Sequence, residues 1–328
     1  MNIYITLDYE LFFGPKCGTV EACIIRPTDA LLEITERAGV HFTCFVDAGY
    51  LMALERQKSR YGELEEDYVR VCEHIRKLTR LGHGIELHIH PHWEASFYNG
   101  HDWELNTTRY KLSDFTKEEV GELVTRYCKI LERISEQQPK AYRAGGWSAQ
   151  PFSTIGRALQ ENNIYIDSTV FPGGAYESPN QCYDFRQVGR YNTHYRFSDS
   201  LTHPDLNGEF TEIPISAYRV SPYFYWQFAM AKLSKAPGHK AFGDGMAIPL
   251  SKTEILKKMI LPSVSVVSMD GYKSKFLNNA FKAYVKHTQN NGNFVIIGHP
   301  KAFTPYSLKR TADFINRSCG AHAYKTFQ

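Results

Sequence analysis

Apolar and polar positions follow two rhythms along this chain. Short unbroken apolar runs predict buried strands at 3–7, 41–46, 84–88 and, most sharply, 294–297; runs at 141–143, 164–166 and 264–269 carry the same signal more faintly. Between them apolar residues recur at helical spacing. Residues 27–38 read as a helix opened by Thr28 and closed by Gly39. Leu64, Tyr68, Val71, Cys72, Ile75 and Leu78 draw a second stripe that Gly82 ends. Thr116 and Glu119 form a capping box ahead of a long stripe from Val120 to Ile134, stopped by Pro139. Phe276, Ala280, Phe281, Tyr284 and Val285 mark another helix before Asn291-Gly292.

Strands alternating with helices imply a parallel sheet or barrel with helices outside. The rhythm fails over 171–262, which holds eight of the fifteen prolines. This stretch reads as an irregular insertion within a single domain spanning 1–328, folded against the barrel mouth.

Composition narrows the function classes. With 38 Lys+Arg against 35 Asp+Glu the net charge is +3, without a long basic run, so bulk charge supports neither nucleic acid nor membrane-surface binding. No apolar stretch is long enough for a membrane span. Met1 to Leu7 reads directly as a strand, so no export signal is expected. The seven cysteines are odd in number and scattered, with no C-x-x-C pair, as expected of reduced thiols in a cytoplasmic protein. Aromatics at 14% call for a large core or a ligand groove.

Chemistry concentrates at the predicted strand ends. His88-Ile89-His90-Pro91-His92 puts three imidazoles within five residues, where α/β barrels carry active sites. Such clusters bind divalent metals, zinc above all. Which two of the three bind is open, because Pro91 bends the chain after His90. Asp8-Tyr9-Glu10 ends the first strand: one carboxylate could complete a two-histidine metal site and the other could serve as general base. His299 follows the last strand and suits a general acid that protonates a leaving amine. Arg143, ahead of Ala144-Gly145-Gly146-Trp147, could hold a catalytic carboxylate or a structural one. Asp167 and Asp270 also follow strands, and either could orient a catalytic histidine; Asp47 is a weaker candidate of the same kind. Trp93, Trp103, Trp147 and Tyr9 stand beside these motifs as sugar platforms or as core.

The order of these motifs resembles the polysaccharide deacetylase superfamily, the NodB-homology or carbohydrate esterase family 4 type, over about 1–170 and 262–315. Leu7-Asp8-Tyr9-Glu10 is similar to its first motif, His88 and His92 to the second, Arg143 to the third and Ile297-Gly298-His299 to the fifth. Asp167-Ser168 is similar to a segment of divergent members, and Asp270 lies where the fourth motif's aspartate falls. The resemblance implies a deformed (β/α)7-type barrel and hydrolysis of the amide of an N-acetylated sugar, in the setting of surface-polysaccharide synthesis. It implies Asp8 as base, Glu10, His88 and His92 as ligands of a divalent metal, Arg143 as the residue steadying the base, and His299 as acid with Asp167 or Asp270 behind it. Zinc is the first expectation; cobalt, nickel and iron suit the same ligands. Three departures stand out: D-x-E for two adjacent aspartates, Ala144-Gly145-Gly146 for R-x-P-Y, and Tyr272 near the place of a tryptophan. They mark a divergent relative and keep two alternatives open, a carbohydrate-binding protein without hydrolysis and a metal-independent glycosidase. An amidohydrolase is disfavoured, since its H-x-H belongs to a first strand.

Overall fold

A computed structural model describes residues 1–234, 236–249 and 251–328. Eight strands follow one path in a curled sheet: β1 (Asn2–Tyr9), β2 (Thr43–Asp47), β3 (Gly84–Ile89), β4 (Ala141–Ala144), β5 (Ile166–Asp167), β6 (Tyr195–Phe197), β7 (Phe210–Glu212) and, after the separate antiparallel pair β8 (Ala217–Val220) and β9 (Ser263–Val266), β10 (Asn293–Gly298). Their order is β6-β7-β5-β4-β3-β2-β1-β10, and β11 (Ala323–Tyr324) adds beside β1. Every pairing within this sheet is parallel except β6 with β7. The fold is α/β, a deformed barrel of this sheet with helices outside.

The strands form because their sequences are apolar on both faces. All of β2, β3, β4 and β10 is buried, as a parallel sheet covered by helices requires. The covering helices are α1 (Arg26–Ala38), α2 (Ala48–Gln57), α3 (Gly62–Arg80), α4 (Lys117–Ser135) and α5 (Gly156–Glu161), with α8 (Leu277–His287) and α9 (Pro305–Ser318); α6 (Pro222–Leu233) and α7 (Lys252–Ile260) lie between β8 and β9 and pack on each other. The Thr116/Glu119 capping box opens α4, and Gly39 ends α1 with φ 64°. Thr28 does not open α1. A wider helical turn over Glu21–Ile25 runs straight into that helix, so Thr28 is interior and donates to the Ile24 carbonyl at 2.6 Å.

Two faint strands differ from expectation. Only Ile166–Asp167 pairs at 164–166. The 264–269 run splits: Ser263–Val266 turns away to pair with β8, while 267–269 lies beside β10, with Met269 donating to Ile297 at 2.9 Å and Ile297 to Val267 at 3.0 Å. This short irregular ladder places Asp270 next to the end of β10. Within 171–262, β6 and β7 extend the main sheet, so part of that stretch is barrel wall.

At the opposite end of the barrel, Phe327 packs on Tyr4 and Phe45. Gln328 Nε2 donates to Glu86 Oε1 at 2.8 Å, and the Lys140 and Ala141 amides donate to Glu86 Oε2. Glu86 is fully buried, and burial pushes its carboxyl up to about 8 against the pull of these donors. Folding therefore takes up a proton between the ordinary glutamate range and pH 8, so this contribution is present at low pH and lost as pH rises through that window. The expected slope is about 1 kcal/mol per pH unit. Thermal melts from pH 5 to 8.5 should show falling stability in the parent and a flatter profile in Glu86→Gln.

Candidate active site

The parallel register gathers the chemistry at one rim. Asp8 stands opposite Phe45, while Asp47 and Arg143 both stand opposite His88. His299 follows the last residue of β10, whose Gly298 stands opposite Leu7.

Asp8 and Arg143 make the innermost pair. Arg143 is fully buried; its Nη1 donates to Asp8 Oδ1 at 2.7 Å and Thr6 Oγ1 at 3.0 Å. Nε donates to the Ser168 carbonyl at 2.8 Å and Nη2 to Ser168 Oγ at 3.1 Å, and the guanidinium lies 4.0 Å from the Phe45 ring centroid. A fork held on three sides fixes one carboxylate oxygen and leaves the other facing the cluster. That other oxygen, Oδ2, lies 3.9 Å from His88 Nε2 and 3.6 Å from His299 Nε2.

The group within reach of a single ion is Glu10, His88 and His90. Glu10 Oε2 lies 3.1 Å from His88 Nε2 and 2.7 Å from His90 Nε2, and the two imidazole nitrogens are 3.2 Å apart. His92 falls outside this group, contrary to the expectation for it. Pro91 starts a tight turn over Pro91–Glu94 that carries His92 away. There its ring stacks on Tyr110 at 5.5 Å and Trp93 at 5.2 Å, with both nitrogens buried and unpartnered. Burial first, and then His90, holds its pKa well below the usual histidine range. His90 owes its position to Gly145: a Cβ there would stand 2.6 Å from His90 Nδ1 and 2.5 Å from the Ile89 carbonyl. Gly145, two residues past Arg143, thus makes room for an imidazole.

His299 Nδ1 lies 2.8 Å from Asp270 Oδ2, and its amide donates to Asp270 Oδ1 at 2.7 Å. Burial would lower the His299 pKa, but the Asp270 charge and hydrogen bond outweigh it and raise the value. Asp270, not Asp167, is therefore the acid behind this histidine. Asp167 accepts from the Thr169 amide and hydroxyl at 2.7 and 3.1 Å and lies beside Glu212 across the β5–β7 register. Burial raises the Asp167 pKa, and burial together with the Asp167 charge pushes Glu212 far above the carboxylate range.

Sequence reasoning missed Lys301. Its Nζ is buried and donates to Glu10 Oε1 at 2.8 Å and to the Leu11 carbonyl. Burial alone would raise the Glu10 carboxyl, but the Lys301 ammonium and His90 hold it well below the ordinary range. The available signal was position: Lys301 lies two residues past His299, in the tight turn Pro300–Ala302. Asp47 accepts from Trp93 Nε1 at 2.6 Å and caps α2. Tyr9, Trp93 and Trp103 are buried, with Tyr9 OH 2.8 Å from His74, so these three are core; Trp147 is part-exposed against Phe171 and Tyr183.

No protein-family model and no curated protein matches the sequence. Solved structures match its fold. A Mycobacterium smegmatis protein assigned as a polysaccharide deacetylase superposes with a TM-score of 0.52 at 16% identity, over 98% of this chain and 85% of that one. The chain has the polysaccharide deacetylase fold. Weaker superpositions join it to Puue allantoinase (TM-score 0.49, 10% identity, 98% and 85% covered) and to a Pseudomonas aeruginosa protein assigned as a polysaccharide deacetylase (0.47, 11%, 97% and 84%). In this chain's version of the deacetylase fold the rim gathers two acids, Asp8 and Glu10, three imidazoles, His88, His90 and His299, and the buried Lys301.

Proposed function

We propose that this chain is a divergent member of the polysaccharide deacetylase superfamily: a single-domain, cytoplasmic hydrolase that cleaves the amide of an N-acetylated sugar or glycan intermediate with the help of a divalent cation, zinc first. The observation that carries this reading is the convergence of Asp8, Glu10, His88, His90 and His299 at the rim. No helix of the described residues is long and apolar enough to cross a membrane, and all seven cysteines are free.

The donor set fits a cation. When neutral, His88 donates from Nδ1 to the Arg143 carbonyl at 2.9 Å, which leaves a lone pair on Nε2. That lone pair points at Glu10 and at His90 Nε2, an array of electron-rich atoms that needs positive charge at its centre. Burial opposes a proton there, yet Asp8 and Glu10 raise His88 to about 9. A divalent cation held by Glu10, His88 and His90 would supply Lewis acidity toward an amide carbonyl and toward water.

The remaining steps belong to this chain's residues. Asp8 Oδ2, free of the arginine fork, takes the proton of the attacking water. Arg143 keeps that carboxylate aimed through the bond to Asp8 Oδ1. His299, held cationic by Asp270, returns a proton to the departing amine nitrogen, and the C–N bond breaks to give acetate and the free amine. Trp147 borders this rim and offers a part-exposed ring to a sugar.

Zinc titration and metal quantification of purified protein, run beside acetate release from N-acetylated glycans, test the reading. Loss of a direct ligand in His90→Ala should weaken metal binding roughly a hundredfold or more, while His92→Ala should retain it. Equal retention in both would place the cation elsewhere. One observation favours a second reading, a carbohydrate-binding relative without hydrolysis: the Lys301 ammonium already neutralises Glu10. Metal-free protein that binds glycan and releases no acetate would select it.

A further inference from the structure

We infer that the face formed by α6 and α7 binds a lipid surface carrying anionic headgroups. Helix α6 is apolar nearly all round, yet it is not buried. Phe224 anchors it, packing 4.7 Å from Phe276 and 5.5 Å from Tyr272 between ring centroids. Trp226 Nε1 donates to the Met259 carbonyl at 3.1 Å and ties it to α7. The other side is open: Tyr223 is 70%, Trp226 54%, Met230 69% and Leu233 80% exposed. Their spacing of three, four and three residues lines them along one helix face. Leu256, Ile260 and Leu261 of the α7 arm are also exposed. Leaving such a contiguous apolar surface in water is unfavourable and calls for a partner.

Charge identifies the partner. Residues 222–261 contain six lysines against two acids, Asp244 and Glu254, whereas the whole chain carries only +3. The rest of the molecule is therefore slightly acidic, and the net positive charge is concentrated in the segment that carries the apolar stripe. Lys232, Lys252 and Lys257 are exposed there. An aromatic and aliphatic stripe bordered by lysines is the composition of an interfacial helix, its rings at headgroup depth and its ammonium groups on lipid phosphates. With 12 residues α6 is too short to span a bilayer and would lie along it.

This face stands at the active rim. Between the helices, Phe242 donates to the Phe303 carbonyl at 2.9 Å, Gly243 to the Lys301 carbonyl at 3.0 Å and Met246 to the Lys16 carbonyl at 2.8 Å. The lysine whose ammonium touches Glu10 thus supports the linker between the two membrane-facing helices. Docking would turn the barrel mouth toward the bilayer.

The test uses the full chain and vesicles of phosphatidylcholine with or without phosphatidylglycerol. Trp226 is the exposed one of four tryptophans, so quenching by brominated acyl chains reports its insertion. Cosedimentation should favour the anionic vesicles by about tenfold or more and weaken at high salt. Met230→Ser with Leu233→Ser, both outside the catalytic cluster, should lower partitioning by about tenfold or more with circular dichroism unchanged. No binding to anionic vesicles, or undiminished binding by the variant, would overturn the inference. So would a concentration-dependent dimer that the same substitutions abolish, because the face would then belong to a second copy. Vesicle binding requires no hydrolysis, so its outcome is separate from that of the deacetylase reading.

Discussion

Asp8→Asn should reduce acetate release by about 10²–10⁴-fold while leaving metal content unchanged. The substitution is nearly isosteric, and the asparagine carbonyl can still accept from Arg143 Nη1, which now donates to Asp8 Oδ1 at 2.7 Å. It removes the basic oxygen that lies 3.6 Å from His299 Nε2 and 3.9 Å from His88 Nε2. Asp8 does not belong to the group within reach of one ion, so Glu10, His88 and His90 keep their place. A loss of this size corresponds to about 3–5 kcal/mol of transition-state stabilisation. Initial rates on an N-acetylated glycan, with metal quantification on the same samples, separate two failures. Full turnover in Asp8→Asn removes the base assignment. Loss of metal together with turnover makes Asp8 a ligand instead.

The residues show why some of this was legible in the sequence and some was not. Strands buried on both faces leave unbroken apolar runs, so β1, β2, β3 and β10 could be located, and with them the rim where Asp8, Glu10, His88 and His299 stand. Local signals held where the physics is local: the Thr116/Glu119 box is a contact between near neighbours. The choice between His90 and His92 was not local. It depends on the turn after Pro91 and on a close approach by Gly145, which is 55 residues away and has no periodic signature. Asp167 and Asp270 likewise look alike in sequence, each an acid after a faint strand. Only the ladder of 267–269 on β10 puts Asp270 beside His299, while pairing with β7 sets Asp167 against Glu212. Lys301 was invisible because a lysine predicts solvent; its burial is specified by Glu10, 291 residues earlier.

Arg143→Met should destabilise the fold by about 3–5 kcal/mol, the range for breaking a buried ion pair from one side. The guanidinium makes four hydrogen bonds, to Asp8, Thr6 and Ser168, from a fully buried position. Methionine can fill much of the volume and lie on Phe45, but it leaves the Asp8 carboxylate in low dielectric without a countercharge and the Ser168 carbonyl without that donor. For a chain of this size the expected fall in Tm is about 4–7 °C. The pair can be separated from its packing by a double-mutant cycle. Asp8→Asn on the Arg143→Met background removes the stranded charge and should recover 1 to 2 kcal/mol, roughly the coupling expected of contacting residues. Arg143→Lys keeps a charge but has no planar fork to join β1 to the Ser168 backbone, so it should fall between parent and methionine variant. Urea melts of the four proteins measure the cycle. Additive effects of the two substitutions, or a methionine variant as stable as the parent, would mean that Asp8 is held by something other than the arginine, and its aim as a base would then need another cause.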